Sequence, residues 1–144
     1  MIRSIDPAYA SQLDQAFQGI RDVWAGEVAA NYGKYEQVHG VQVPAWLIAG
    51  AGDVSSIAIL ALVEHDRATS GQDAATRDLL TKLSEGLATY QAGDDRNYPF
   101  GWHPDTVTSP FSWHAWGSTH VFALARAGQQ LAQPEWIASA QREA

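Results

Sequence analysis

The densest group of chemistry-bearing side chains in this sequence is Tyr98-Pro99-Phe100-Gly101-Trp102-His103-Pro104-Asp105, followed shortly by Trp113, His114 and Trp116. Flat aromatic faces beside a few hydrogen-bonding groups suit a polyhydroxylated ring, whose apolar C–H face stacks on the aromatics while the polar groups orient its hydroxyls. Tyr98, Trp102, Trp113 and Trp116 are the candidate platform. His103, Asp105 and His114, with Asp53 upstream, are the candidates for proton transfer, which needs a carboxyl or imidazole within hydrogen-bond reach of the substrate. Two carboxyls serving glycoside hydrolysis stand about 5–5.5 Å apart for retention and about 6.5–9.5 Å apart for inversion. His103 and His114 could instead act as paired bases in a sugar epimerase or isomerase, because imidazole titrates near neutrality. Each residue also has a plainer role. Trp113 and Trp116 fit a helix core, Asp53 a helix cap, Asp94-Asp95 a solvated turn, and His120 a hydrogen-bonded core position.

Other chemistries find little support. Cysteine is absent, which excludes a disulfide scaffold and thiolate catalysis. Histidine spacing does not build a metal site: His103-Pro104-Asp105 is one short pair, and His114 and His120 fall off a common helical face. No Gly-rich phosphate loop and no Gly-x-Ser-x-Gly elbow occurs, and no cofactor is expected. Sixteen acidic against nine basic residues give a formal charge of −7, without a Lys/Arg cluster, so nucleic acid is not an expected partner. Thr106 to Ala125 lacks Asp, Glu, Lys and Arg, but Pro110, two histidines and several hydroxyls argue against a lipid-facing span. The first residues show no basic segment leading into an apolar run. A soluble chain is the expectation, with its compartment open.

These side chains need elements to hold them. With 144 residues, 46% of them hydrophobic, the chain suits one globular domain. Asp6-Pro7 reads as a helix start, and Tyr9, Leu13, Phe17, Ile20 and Trp24 follow on one apolar face, ending near Asn31. A second helix is expected from Asp53 to about Thr69, buried nearly all round since only Ser55 and Ser56 interrupt its apolar run to Val63. A third starts at Asp73, carries Leu79, Leu80, Leu83, Leu87 and Tyr90, and stops at Gly93. A fourth runs from Ser109-Pro110 or Ser112 to Gly128, and a fifth opens at Pro134. No strand pattern competes seriously, although Val41-Gln42-Val43 alternates before Pro44. The class is all-α, built of antiparallel helical hairpins.

Connection lengths then orient the bundle. The first-to-second and third-to-fourth connections are long and aromatic, whereas the other two are short. Antiparallel succession puts both long connections at one end, where the second and fourth helices, uncharged for most of their length, also begin. Long connections of this composition are usually functional. Their end is the candidate face, and it receives the positive poles of two inner helices.

The chain here resembles the six-hairpin glycosidase-like group of (α/α) toroids. The resemblance rests on Ala49-Gly50-Ala51-Gly52-Asp53 opening an apolar inner helix, and on Ser112-Trp113-His114-Ala115-Trp116-Gly117 opening another after an aromatic loop. Ala127-Gly128 through Pro134-Glu135-Trp136-Ile137 to Ala144 looks like the next outer helix. The resemblance covers roughly residues 46–144 and implies an incomplete toroid of about five helices, a carbohydrate ligand, and a function most plausibly like that of a glycoside hydrolase. Epimerase-like chemistry on histidine bases, or a non-catalytic sugar-binding or scaffold piece, are the alternatives. No catalytic carboxylate transfers from the family. The fifth helix lacks a stop signal, and two inner helices this apolar need cover on both sides. A missing remainder of the toroid, or self-association, is therefore the expected partner, burying an exposed apolar surface on the Trp113–Trp116 side.

Overall fold

A computed structural model describes residues 7–38, 41–45, 52–93 and 110–143. Helix α1 (Pro7–Asn31) starts on proline, whose fixed φ and missing N–H suit a first helical position. Gly33 then takes a φ of 76° and turns the chain into a hairpin of β1 (Tyr35–Val38) and β2 (Val41–Pro44). The strands are antiparallel, with Tyr35 opposite Pro44 and Val38 opposite Val41. This hairpin departs from the strand-free expectation. Val41-Gln42-Val43 showed half of it, but the partner Tyr35-Glu36-Gln37-Val38 is too short and polar to stand out before pairing.

Among the described residues four further helices make up the body: α2 (Gly52–Ala68), α3 (Ala74–Gly93), α4 (Pro110–Leu131) and α5 (Pro134–Glu143). The chain is all-α in class, with the small β-hairpin lying against α3. Asp73 caps α3 as its sequence position implies. Its Oδ1 accepts the Thr76 backbone N–H at 3.1 Å, and its Oδ2 accepts the Thr76 hydroxyl at 2.8 Å. Asp53, by contrast, is the second residue of α2 rather than its cap.

Helix α4 also runs past Gly128, the residue expected to end it. A Cβ at Gly128 would stand 2.9 Å from Ile137 Cγ1 and 3.0 Å from the Gln133 carbonyl oxygen. Glycine is there so that α5 can press against α4. The reversal comes later, at Ala132 with a φ of 55°, and Gln133 N–H donates back to the Gly128 carbonyl at 2.9 Å.

The core gathers Ile59, Leu62 and Val63 of α2, Leu80, Leu83 and Leu87 of α3, Leu124 and Ala127 of α4, and Trp24 and Val28 of α1. Two expectations about helix faces change. Tyr9, Leu13 and Ile20 of α1 are exposed, and only Trp24 of that stripe is fully buried. Helix α2 is not buried all round, because Ile57 is 57% exposed.

The two helical hairpins repeat one burial pattern. In α2, Ala58 and Ile59 and then Leu62 and Val63 are buried. In α4 the same places are held by Ala123 and Leu124 and then Ala127 and Gly128. Thr76 and Leu79-Leu80 in α3 correspond in the same way to Trp136 and Ser139-Ala140 in α5. Ile57 and Phe122, one residue before the first buried pair of each helix, are both exposed, at 57% and 56%. The unit of this fold is a hairpin laid beside a second copy of the same packing scheme.

Candidate functional site

Helices α2 and α4 lie side by side and run in the same direction. Glu64 Oε1 of α2 meets Arg126 Nη2 of α4 at 3.0 Å, and further along both helices Asp66 Oδ2 meets Gln130 Nε2 at 2.8 Å. Their N-termini are therefore at one end, together with the C-terminus of the intervening antiparallel α3. Asp53 stands in the first turn of α2, and Trp113, His114 and Trp116 in the first two turns of α4. Backbone placement thus brings Asp53 to the same end as Trp113, His114 and Trp116. Tyr98, Trp102, His103 and Asp105 lie outside the described residues. His120, one turn beyond Trp116, is a buried core residue at 1% exposure.

The opposite end, at the short α2–α3 corner, carries a polar cluster that sequence reading did not anticipate. Asp66 is fully buried, and its Oδ2 accepts hydrogen bonds from Arg77 Nη1 of α3 at 2.9 Å and from Gln130 of α4. One carboxylate so joins three helices. The corner is shaped to allow it: Gly71, with a φ of 72°, donates its N–H to the Asp66 carbonyl at 2.8 Å. A Cβ at Gly71 would come within 2.6 Å of Arg77 Nη1, so the guanidinium occupies the space a side chain would need.

Next to it, His65 Nε2 lies 3.1 Å from Asp73 Oδ2, and the His65 ring stacks on Phe17 of α1 with centroids 4.1 Å apart and planes within 8°. Arg21 of α1 adds a longer contact, Nη1 to Asp73 Oδ2 at 3.8 Å. The Thr76 backbone N–H, then the Thr76 hydroxyl and His65, hold the Asp73 carboxyl below its ordinary range against the opposing effect of burial. Burial acts on Glu64 in the raising direction, but hydrogen bonds from Arg126 and Arg67 outweigh it and the net shift is downward.

A carboxylate orienting an imidazole is one part of an acid–base device. Here the imidazole face is covered by Phe17 and the carboxylate is committed to capping α3. This end holds α1, α2, α3 and α4 in register. The sequence signals for it were polar residues among other polar residues at helix ends, His65-Asp66 beside Glu64 and Arg67 and Gln130 beside Gln129, and those read equally well as solvated termini.

Among the described residues no group of His, Asp and Glu is arranged to hold a metal ion, and no helix is long and apolar enough to cross a membrane. No family model, characterised protein or solved structure matches this chain.

Proposed function

We propose that this chain is a carbohydrate-active helical-hairpin protein of the (α/α)-toroid kind, with its sugar-binding face at the end where α2 and α4 begin. The observation that carries the reading is the parallel pairing of α2 and α4 within a repeated hairpin. Two helix starts whose one charged residue is Asp53 come to one end, each with its positive pole there, and that end bears Asp53, Trp113, His114 and Trp116. In a ring of such hairpins the inner helices line the centre and their starts surround the ligand. Exposed Ile57 and Phe122, at matching places on α2 and α4, fit helix faces that further hairpins or a second chain would cover.

In this reading Tyr98, Trp102, Trp113 and Trp116 stack on sugar rings. His103, Asp105, His114 and Asp53 contact hydroxyls or move protons. Hydrolysis is the favoured chemistry: one carboxyl protonates the glycosidic oxygen as its bond to the anomeric carbon breaks, and a second carboxylate either attacks that carbon, with water later displacing it, or takes the proton of the water that attacks.

The test is a titration of intrinsic tryptophan fluorescence with a panel of oligosaccharides, followed by assay of the same panel for released reducing sugar. Saturable quenching by one sugar class, lost in Trp102→Ala and Trp113→Ala, supports the face. Release of sugar supports hydrolysis. Binding with no turnover makes the chain a sugar-binding piece, and the absence of any fluorescence response rejects the carbohydrate reading.

A further inference from the structure

Helix α1 is docked unevenly along its length. Trp24 and Val28, in its second half, are buried in the core. That half is also closed at its end, where the Tyr32 N–H donates to the Val28 carbonyl at 2.7 Å and Asn31 Nδ2 to the Glu27 carbonyl at 3.2 Å. Of the described residues 9–23, by contrast, none is buried. Phe17 is half-buried and lies flat on the His65 ring, with centroids 4.1 Å apart. Arg21 Nη2 stands 3.2 Å from Asp22 of its own helix, and Nη1 reaches Asp73 at 3.8 Å.

The helix is also weakest where the two halves join. A Cβ at Gly19 would meet nothing within 4 Å among the described residues, so packing there does not require a glycine. Glycine in a helix interior favours the unfolded chain relative to alanine. A helix of residues 7–18 alone is too short to persist in water once it leaves the bundle. Segments with few buried contacts open locally at a fraction of the free energy of global unfolding. Opening here would bare His65, whose side chain is 15% exposed while one ring face lies under Phe17 and Nε2 is 3.1 Å from Asp73.

We propose that residues 7–20 form a strap latched to the α2–α3 corner by the Phe17–His65 stack. The strap opens as one unit, pivoting just after Gly19, and Trp24 and Val28 keep the rest of α1 in place. Asp73 still caps α3 in the open state, because Thr76 holds its carboxylate from within the same corner. The imidazole then keeps its orienting carboxylate while its covered face becomes accessible, which is what a proton-transfer group needs. The strap therefore switches the His65–Asp73 pair between a covered and an accessible form. This corner lies at the end opposite the proposed sugar face, so failure of either proposal leaves the other standing.

Hydrogen–deuterium exchange of the 144-residue chain, read peptide by peptide, tests the strap. Amides of residues 9–20 are expected to exchange at least about tenfold faster than those of 22–31, yet more slowly than in an unstructured peptide of the same sequence. Phe17→Ala should speed exchange across 9–20 at least about fivefold and leave the peptides around Leu62 and Leu83 unchanged. Gly19→Ala should slow it by up to about fivefold, whereas Gly26→Ala, in the docked half, should leave it unchanged. Diethyl pyrocarbonate, which acylates accessible imidazole nitrogens, should label His65 faster in Phe17→Ala and more slowly in Gly19→Ala. Uniform protection along α1 overturns the proposal, and so does exchange of 9–20 at the unstructured rate, which means no latched state. Equal acceleration of the Leu62 and Leu83 peptides by Phe17→Ala overturns it too, as does His65 labelling that ignores Phe17→Ala.

Discussion

Asp66 of α2 and Gln130 of α4 meet at 2.8 Å inside the protein and tie one helical hairpin to the next. The same Asp66 oxygen holds Arg77 of α3 at 2.9 Å, so the carboxylate links its own hairpin and its neighbour through a single atom. Buried charge is costly unless paired, and removing one partner of a buried pair is worse than never having had it.

Arg77→Leu should therefore destabilise the chain by about 3 kcal/mol, because Asp66 stays buried with its main counter-charge gone. Gln130→Leu removes one neutral donor to the same carboxylate and should cost about 1–2 kcal/mol. Urea unfolding followed by circular dichroism gives both values. Equal losses for the two variants would contradict this ranking.

Glycine-to-alanine substitutions should split by position. Gly71→Ala meets Arg77 at 2.6 Å in a left-handed backbone, and Gly128→Ala meets Ile137 at 2.9 Å. Each should lower stability by about 1–3 kcal/mol, through backbone strain at Gly71 and overpacking at Gly128. Gly26→Ala, with open space around it, should instead stabilise the helix by up to about 1 kcal/mol. Thermal midpoints of the three variants, measured side by side, check the opposite signs.

The Asp73 cap makes the α2–α3 corner acid-sensitive. Its carboxyl is held below the ordinary carboxylate range, first by the Thr76 N–H, then by the Thr76 hydroxyl and His65. A depressed folded-state pKa gives stability that is present at neutral pH and disappears as pH falls through that value. Asp73→Asn can keep a cap but has no proton to take up, so its urea midpoint should fall less steeply than that of the parent below about pH 4. Asp73→Ala should cost about 1 kcal/mol at neutral pH. Parallel pH profiles for the parent and Asp73→Asn would show that this carboxyl contributes nothing to acid sensitivity.

Ile57 and Phe122 should tolerate polar replacement in the isolated chain. Both side chains are more than half exposed at matching places on α2 and α4. Ile57→Gln and Phe122→Gln should each change stability by no more than about 0.5 kcal/mol. Chemical denaturation of the monomer is the check, and a loss above about 2 kcal/mol would mean that this face is packed.

Helix starts and the all-α class were legible in the sequence because they depend on neighbours in the chain. Pro7 and Pro134 mark the first positions of α1 and α5, and Asp73 with Thr76 caps α3, all within one turn. The order of long and short connections was equally local information, and with antiparallel succession it placed Asp53 and Trp113 at one end. Of the candidate site, Asp53, Trp113, His114 and Trp116 can be assigned to helix turns, while Tyr98, Trp102, His103 and Asp105 lie outside the described residues.

Tertiary structure alone decided which apolar faces are covered and what each glycine does. The spacing of Tyr9, Leu13 and Ile20 states that α1 has an apolar face, but burial depends on what α2 and α3 lay against it, and they cover Trp24 and Val28 instead. Gly128 looked like a helix stop because glycine favours chain reversal. Its reason is instead the closeness of Ile137, a residue in another helix. Asp66, Arg77 and Gln130 come together from three separate helices, and no local pattern of charge or period reports that meeting. Local sequence sets backbone preference within a few residues. Contacts between residues far apart in the chain exist only once the helices have taken their places.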